Sequence, residues 1–275
     1  MQFVHRVRTI WSWLPAFRAV AETEHLPTAA QQLGIVPSSL SRAVKQLEDE
    51  LGIALFDRVP KGLALNASGR ALLGAVREAM RLVDDAIGVA IADELHGSVA
   101  AVATSDIVDA VLVPAAARVA EGHAQLTVTV LHATDDDAAA MVVRGDADAA
   151  IVVAPPEQPE LVVNELTRWS RSVYARAATS RHVVVGTPES HDDGWPAGSE
   201  RTIAAWAPDE RTALALCAAG GLATVAYDAV ARASRLQRFE TPSIASRTLY
   251  LVHRRAIGSH RRTDALADAI REVLI

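Results

Sequence analysis

The stretch TAAQQLGIVPSSLSRAVKQLEDE, residues 28–50, reads as two short helices around a tight turn. Residues 28–33 make the first, Gly34-Ile35-Val36 the turn, and residues 37–50 the second. Gly34 stands where a helix stops in a conformation of positive φ, which glycine adopts without a Cβ clash. Pro37 stands near a helix start, where its missing N–H costs nothing. Leu40, Val44, Leu47 and Leu51 recur in steps of four, three and four, so they share one buried face. The opposite side carries Ser38, Ser41, Arg42 and Lys45, with no large apolar residue among them. A helix entering the DNA major groove needs such a slim side: hydroxyls for phosphates and an arginine that grips a guanine edge. A plain helical hairpin with a solvated face fits the same spacing, so the flanking sequence has to decide.

Residues 51–58 lead into Val59-Pro60-Lys61-Gly62 and then into Leu63-Ala64-Leu65-Asn66. Two short apolar runs around a Pro/Gly turn predict a β-hairpin with the cations Arg58 and Lys61 at its tip. Beside a recognition helix such a hairpin is a wing, and its cations meet flanking phosphates. At this point the chain resembles the LysR-type transcriptional regulators. The matching residues are Phe17 and Val20, Ala29-Ala30 and Leu33, Ser41, Leu47-Glu48, Leu51-Gly52, Leu55-Phe56, Arg58, Leu65 and Ser68-Gly69, and they cover the first seventy residues. Two places depart from the family's pattern. Glu24-His25 replaces the usual Gly-Ser before the second helix, and Val36-Pro37 replaces Ser/Thr-Gln at the entry to the recognition helix. That glutamine often reads a base in the family. With Pro37 in its place, base readout is expected to shift to Ser38, Ser39 and Arg42.

The rest of the chain is read in the same terms. Ser12 is predicted to cap a first helix that turns Leu14, Phe17, Val20 and Ala21 inward, after a short extension at residues 1–9. Asn66 is predicted to cap a long helix running through Leu95. Along it Leu73, Val76, Met80, Val83 and Ile87 recur in steps of three and four, the repeat of a coiled-coil seam. A helix lying on its own domain would carry a similar stripe. The seam is preferred because the small head has no large face left to cover it, and in the resembling family the equivalent helix pairs two subunits. From Gly97 the pattern alternates: strand 99–103, helix 107–121, strand 126–131, helix 135–144 and strand 149–153, the order of a parallel sheet. Residues 161–168 are expected to cross to a second lobe. That lobe has strands at 172–175, 182–185 and 202–206, a helix at 209–219 and the turn Gly220-Gly221-Leu222. Residues 236–239 start the return, 248–253 rejoin the first lobe, and 263–275 form the last helix.

The expected fold class is therefore α/β with an all-α, winged-helix head. The resemblance implies a winged helix-turn-helix over residues 1–66, a linker helix over 67–96 that dimerises the protein, and an effector domain over 97–275. That last domain should resemble the two-lobed periplasmic binding proteins, with lobe I at about 97–164 and 246–275 and a rather short lobe II at about 165–245. Thr104-Ser105-Asp106 follow a buried strand and open a helix, at the sheet edge where α/β folds bind ligands. Helix capping accounts for Ser105 or Asp106 equally well, and both roles can hold at once. The resemblance places this turn on the effector cleft, with Thr134 as its partner and Trp206 and Thr224 facing it from the second lobe. Free N–H groups at a helix start favour a small polar or carboxylate-bearing ligand, while the acidic body and the short second lobe leave room for a neutral one.

Composition narrows the function classes. The 275 residues are half hydrophobic and carry a net charge of -6, which by itself argues against a nucleic-acid binder. Over residues 1–70, however, eight Lys+Arg stand against six Asp+Glu, so a mildly basic head precedes an acidic body. The single Cys217 rules out an internal disulfide in this chain, fits a reducing cytoplasm and sits in an apolar run as a buried thiol. No run of residues is long and apolar enough for a membrane span, and the N-terminal stretch lacks the core and cleavage site of a signal peptide. His191-Asp192-Asp193, and His132 with Asp135-Asp136-Asp137, lack the spacing of a metal site, so no metal or cofactor is expected. There is no Gly-x-Ser-x-Gly, phosphate-binding loop or dinucleotide fingerprint. The alternative of an α/β enzyme joined to a DNA-binding head lacks a nucleophile–base pair. The expected protein is a cytoplasmic, non-enzymatic regulator. Its expected partners are an operator in double-stranded DNA, a small-molecule effector, and further copies of itself in a homodimer or homotetramer.

Overall fold

The computed structural model describes residues 9–59, 62–90, 95–189, 193–240, 242–255 and 261–275. The extension at 1–8, the hairpin tip Pro60-Lys61, the predicted helix end at 91–94 and His191-Asp192 lie outside the described residues. Contacts divide the chain into two compact units, Met1–Ala92 and Asp93–Ile275.

The first unit packs α1 (Leu14–Thr23), α2 (Leu26–Leu33) and α3 (Pro37–Leu51) against a hairpin of β1 (Phe56–Val59) and β2 (Gly62–Leu65), followed by α4 (Ala67–Ala90). Gly34 ends α2 at φ 65°, as its place in the turn predicts. Ser12 is not the cap of α1. The N-cap is Trp13, which makes no side-chain cap, and Pro15 in the first turn removes one of the amides a cap would satisfy. Phe17, Val20, Leu40, Leu47 and Leu55 are fully buried, and Phe17 meets Phe56 edge to face at 5.8 Å. Each such side chain contributes about 1.5–3 kcal/mol by leaving water.

Three polar side chains fasten the wing to this core. Glu48 Oε1 accepts the N–H groups of Leu55 (2.7 Å) and Phe56 (3.3 Å), tying the end of α3 to the start of β1. Asn66 caps α4 through the Gly69 N–H and donates to the Ala54 carbonyl, both at 2.9 Å. Glu24 holds a left-handed φ of 48°, which costs a residue with a Cβ about 1–2 kcal/mol. Its carboxylate accepts the Leu65 N–H at 2.7 Å, which offsets that strain and explains why glutamate can stand in a glycine's place. Gly69 is needed for a different reason. A Cβ there would lie 2.2 Å from the Leu55 carbonyl oxygen and 2.6 Å from Leu65 Cδ1. Gly69→Ala should therefore destabilise the head by about 1–3 kcal/mol in chemical denaturation. An unchanged midpoint would mean that the chain at Leu55 gives way freely.

The stripe along α4 divides in two. Leu73 and Val76 are buried in the head's own core and Met80 packs partly against it, whereas Val83 and Ile87 are 46% and 53% exposed. Only the distal part of the predicted seam is left open.

The second unit holds two five-stranded sheets. Its elements are β3 (His96–Ala103), α5, β4 (Gln125–His132), α6 (Asp135–Arg144), β5 (Ala149–Val152), β6 (Leu161–Trp169), β7 (Arg171–Ala175), β8 (Arg181–Val185), β9 (Thr202–Ala207), α7 (Glu210–Gly220), β10 (Ala223–Tyr227), α8 (Asp228–Ala231), β11 (Gln237–Phe239), β12 (Arg247–Arg254) and α9 (Arg261–Leu274). Helix α5 runs in three consecutive pieces: Ser105–Ile107, a π-helical turn Val108–Leu112, and Val113–Gly122. Pro114 lacks the amide that would bond to Ala110, and the wider π turn before it accommodates the ring. The first sheet has the order β4-β3-β5-β12-β6, with β3 parallel to β4 and β5 and with β12 antiparallel to both its neighbours. The second has the order β11-β7-β10-β8-β9.

Two predicted crossings are instead strands. Residues 161–169 pair with β12 along its whole length, so the chain leaves the first sheet only at Ser170. Residues 237–239 form an edge strand beside β7 in the second sheet. An edge strand with one solvated face carries too few apolar residues to be told from a loop by pattern alone.

Candidate functional site

On the head, the first half of α3 presents Ser38, Ser39, Ser41, Arg42 and Lys45, all exposed, while Leu40, Val44 and Leu47 on its other side are buried. Arg58 is exposed on β1. Arg42, Lys45 and Arg58 have no ion-pair partner among the described residues, and Lys61 lies outside them. A helix with one face spent on the core and the other offering unpaired cations and hydroxyls can meet a polyanion without breaking any bond of the fold.

In the second unit, a cavity of about 860 Å³ lies where strand ends of the two sheets converge. The C-terminal ends of β3, β4, β5, β8 and β9 all reach its wall. Thr104, Ser105 and Asp106 line it after β3, and Thr134 and Asp135 after β4. Arg171 and Glu210 line it from the second-sheet side, with Tyr227, and Arg247 from the start of β12. Four of the six predicted effector residues thus share one cavity. Thr224 does not line it: on β10 it alternates with Val225 and Tyr227, which do, and it is buried on the other face. Trp206 on β9 is half-buried and is not part of this wall.

The wall's hydrogen bonds are largely local. Thr134 caps α6 by accepting the Asp137 N–H at 3.3 Å and donates to Asp137 Oδ2 at 2.9 Å. Asp135 Oδ2 accepts the amides of Val153 (2.8 Å) and Ala154 (3.1 Å). Glu210 Oε2 accepts the Tyr227 N–H at 3.0 Å. Arg171 donates to the Asp193 carbonyl at 2.7 Å and stands 5.4 Å over the Tyr227 ring. The Ser105 hydroxyl has no partner among the described residues.

Electrostatics single out three carboxyls that sequence spacing did not connect. Burial pushes the Asp106 carboxyl up, against hydrogen bonds from the Thr104 side chain and from the amides of residues 106 and 107. Burial also pushes up Asp135, and the Asp106 charge adds to it. For Glu210, burial and then Asp106 push the pKa up to about 8. Asp193 behaves in the opposite way. Its burial is outweighed by the Arg201 guanidinium and the Trp195 amide, which hold it below the usual carboxylate range. The sequence places Glu210 in the helix predicted at 209–219 and gives it no role, since nothing local says that the fold buries it near Asp106.

Among the described residues no helix is long and apolar enough to cross a membrane, and no cluster of three or more His, Cys, Asp or Glu could hold a metal.

Comparison with known proteins joins the two units. A family model described as bacterial regulatory helix-turn-helix protein, lysR family, matches residues 11–70, and one described as LysR substrate binding domain matches residues 92–275. A probable hydrogen peroxide-inducible genes activator of Mycobacterium xenopi is 34% identical over 146 residues, which are 52% of this chain and 77% of that protein. Among solved structures, a full-length OxyR variant from Pseudomonas aeruginosa superposes with a TM-score of 0.74 at 19% identity, covering 94% of this chain and 93% of that one. LysG from Corynebacterium glutamicum with bound effector Arg gives 0.64 at 19% identity, covering 94% and 97%. At these identities the solved structures speak for the fold, while the family models speak for descent. The exposed polar face of α3, the wing and the two-sheet cavity are therefore parts of one known design, and the chain belongs to the LysR family of DNA-binding transcriptional regulators.

Proposed function

We propose that this regulator binds its operator through the Ser38–Lys45 face of α3 with Arg58 and Lys61 of the wing beside it, pairs through the distal part of α4, and changes its DNA binding when a small molecule occupies the cavity. The observation that carries the reading is the unpaired polar face of a helix whose other face is core. The protein acts as a homodimer or homotetramer in the cytoplasm and catalyses no reaction.

The operator is first located by sequencing DNA recovered with the purified protein, and affinities are then measured by fluorescence anisotropy. Arg42→Ala should weaken operator binding by about 1–3 kcal/mol and relax specificity at one base pair. Lys45→Ala should weaken all sequences alike and reduce the slope of affinity against salt. Unchanged affinity in both variants would remove the groove assignment.

A peroxide-sensing role, which the name of the Mycobacterium xenopi relative brings to mind, is disfavoured here. Thiol redox chemistry needs an accessible thiolate. Cys217 is fully buried, and burial pushes its thiol up to about 11.

A further inference from the structure

We propose that the ligand of the cavity is a small organic cation, an amine or guanidinium, held by Asp106, Asp135 and Glu210, with an acceptor group at its other end bound by Arg171. The proposal rests on the reading of the cavity as the effector site and adds the ligand's chemical class.

Three observations lead to it. Six carboxylates line the cavity, Asp106, Asp135, Asp137, Asp193, Asp209 and Glu210, against the three arginines Arg144, Arg171 and Arg247. Two of those carboxylates are spent at helix starts: Asp209 caps α7 by accepting the Thr212 N–H, and Asp137 accepts the hydroxyl of Thr134, the cap of α6. Asp193 is paired with Arg201. The remaining three, Asp106, Asp135 and Glu210, accept only amides and the Thr104 hydroxyl; the Asp106 charge raises both of the others, while Arg171 and Arg247 act on the three from beyond ion-pair contact.

The second observation is that two wall atoms are buried with no hydrogen-bond partner among the described residues, Asp135 Oδ1 and Arg171 Nε. Arg171 as a whole is only 8% exposed. Unmet buried polar atoms cost free energy unless a ligand meets them. One is an acceptor that follows β4 and the other a donor on β7, so a molecule with a cationic end and an acceptor end satisfies both.

The third concerns what is excluded. The start of α5 is no anion site here, because the Asp106 carboxyl already takes the amides of residues 106 and 107. A carboxylate ligand would meet like charge where a bare helix start would have attracted it. The carboxyls are also not grouped closely enough to chelate a metal. A cavity of about 860 Å³ suits an organic molecule.

Glu210 makes this readable in pH. It faces Asp106 from α5, Arg171 from β7 and the Tyr227 amide from β10, and His132 lines the same cavity. A cation drawn to Glu210 competes with the proton that its burial retains, so affinity for an amine should rise between about pH 6 and about pH 8.

The test uses the purified full-length protein with 1,4-diaminobutane, agmatine and L-arginine as cationic probes and succinate and benzoate as anionic ones, in calorimetry and thermal shift. Saturable binding of a cationic probe, weakened about 10- to 100-fold by Asp135→Asn or Glu210→Gln, is the expected result. Both substitutions keep the oxygen that accepts backbone N–H groups, and the melting temperature of each variant without probe checks that it folds. A rise with pH that survives Glu210→Gln would overturn the role given to Glu210. Binding by the anionic probes alone, lost in Arg171→Met, would overturn the cationic class and leave the effector cavity standing. Binding of neither class, or binding indifferent to every cavity variant, would overturn both.

Discussion

Val83→Asp combined with Ile87→Asp should leave the protein monomeric in sedimentation and lower operator affinity about 100-fold or more, because a monomer forfeits the second half-site. The two residues stand four apart on α4, share one face, and are about half exposed. A partner helix would bury them, and an unpaired aspartate there is costly to take out of water. The head itself should stay folded, since the residues of α4 that close its core are Leu73 and Val76. That separation gives the test its control. Leu73→Ala should cost about 2–5 kcal/mol and melt the head without moving the dimer constant of what remains folded. A tight dimer in the double aspartate variant would place the subunit contact elsewhere.

Glu210→Gln should change how stability depends on pH. Glu210 is 8% exposed, and burial, then the Asp106 charge, lift it from 4.5 to about 8, opposed by the Tyr227 amide and Arg171. Between those values the folded protein holds a proton that the unfolded chain has released. Wild-type stability therefore falls as pH rises through that window, by up to about 1.4 kcal/mol per pH unit from this group. Below about 4.5 both states are protonated and above about 8 both are ionised, so the contribution levels off. Glutamine keeps the acceptor for Tyr227 and has no proton to lose. Urea midpoints of the two proteins should accordingly diverge from about pH 5 to about pH 8, with the variant the more stable at the alkaline end. Asp106 and Asp135 are raised for the same reason and tilt both curves alike. Parallel curves would mean that Glu210 is ionised throughout.

Much of the head was legible in the sequence because its determinants are local. The steps of four and three from Leu40 to Leu47, the glycine at 34 and the proline at 37 each act within one or two turns of helix. Asn66 capping α4 belongs with them, since an N-cap bonds only three residues ahead. Ser12 misled because the helix starts one residue later than its place implies, with Trp13 at the N-cap and a proline in the first turn. The alternating strands of the second unit were legible for the same local reason, and the edge strands at 161–169 and 237–239 were not, because their pairing partners lie far along the chain.

By itself, then, the sequence determined the helix-turn-helix with its exposed Arg42 and Lys45, the α/β order of the second unit, and the turn Thr104-Ser105-Asp106 at a strand end. Only the tertiary structure decided that Leu73 and Val76 belong to the head while Val83 and Ile87 are free, that β10 turns Tyr227 rather than Thr224 to the cavity, and that Glu210 lies against Asp106. The physical reason is range. Caps, turns and helical faces depend on neighbours a few residues away, whereas burial and the charge it penalises depend on residues, such as 106 and 210, that meet only when two sheets close on one another.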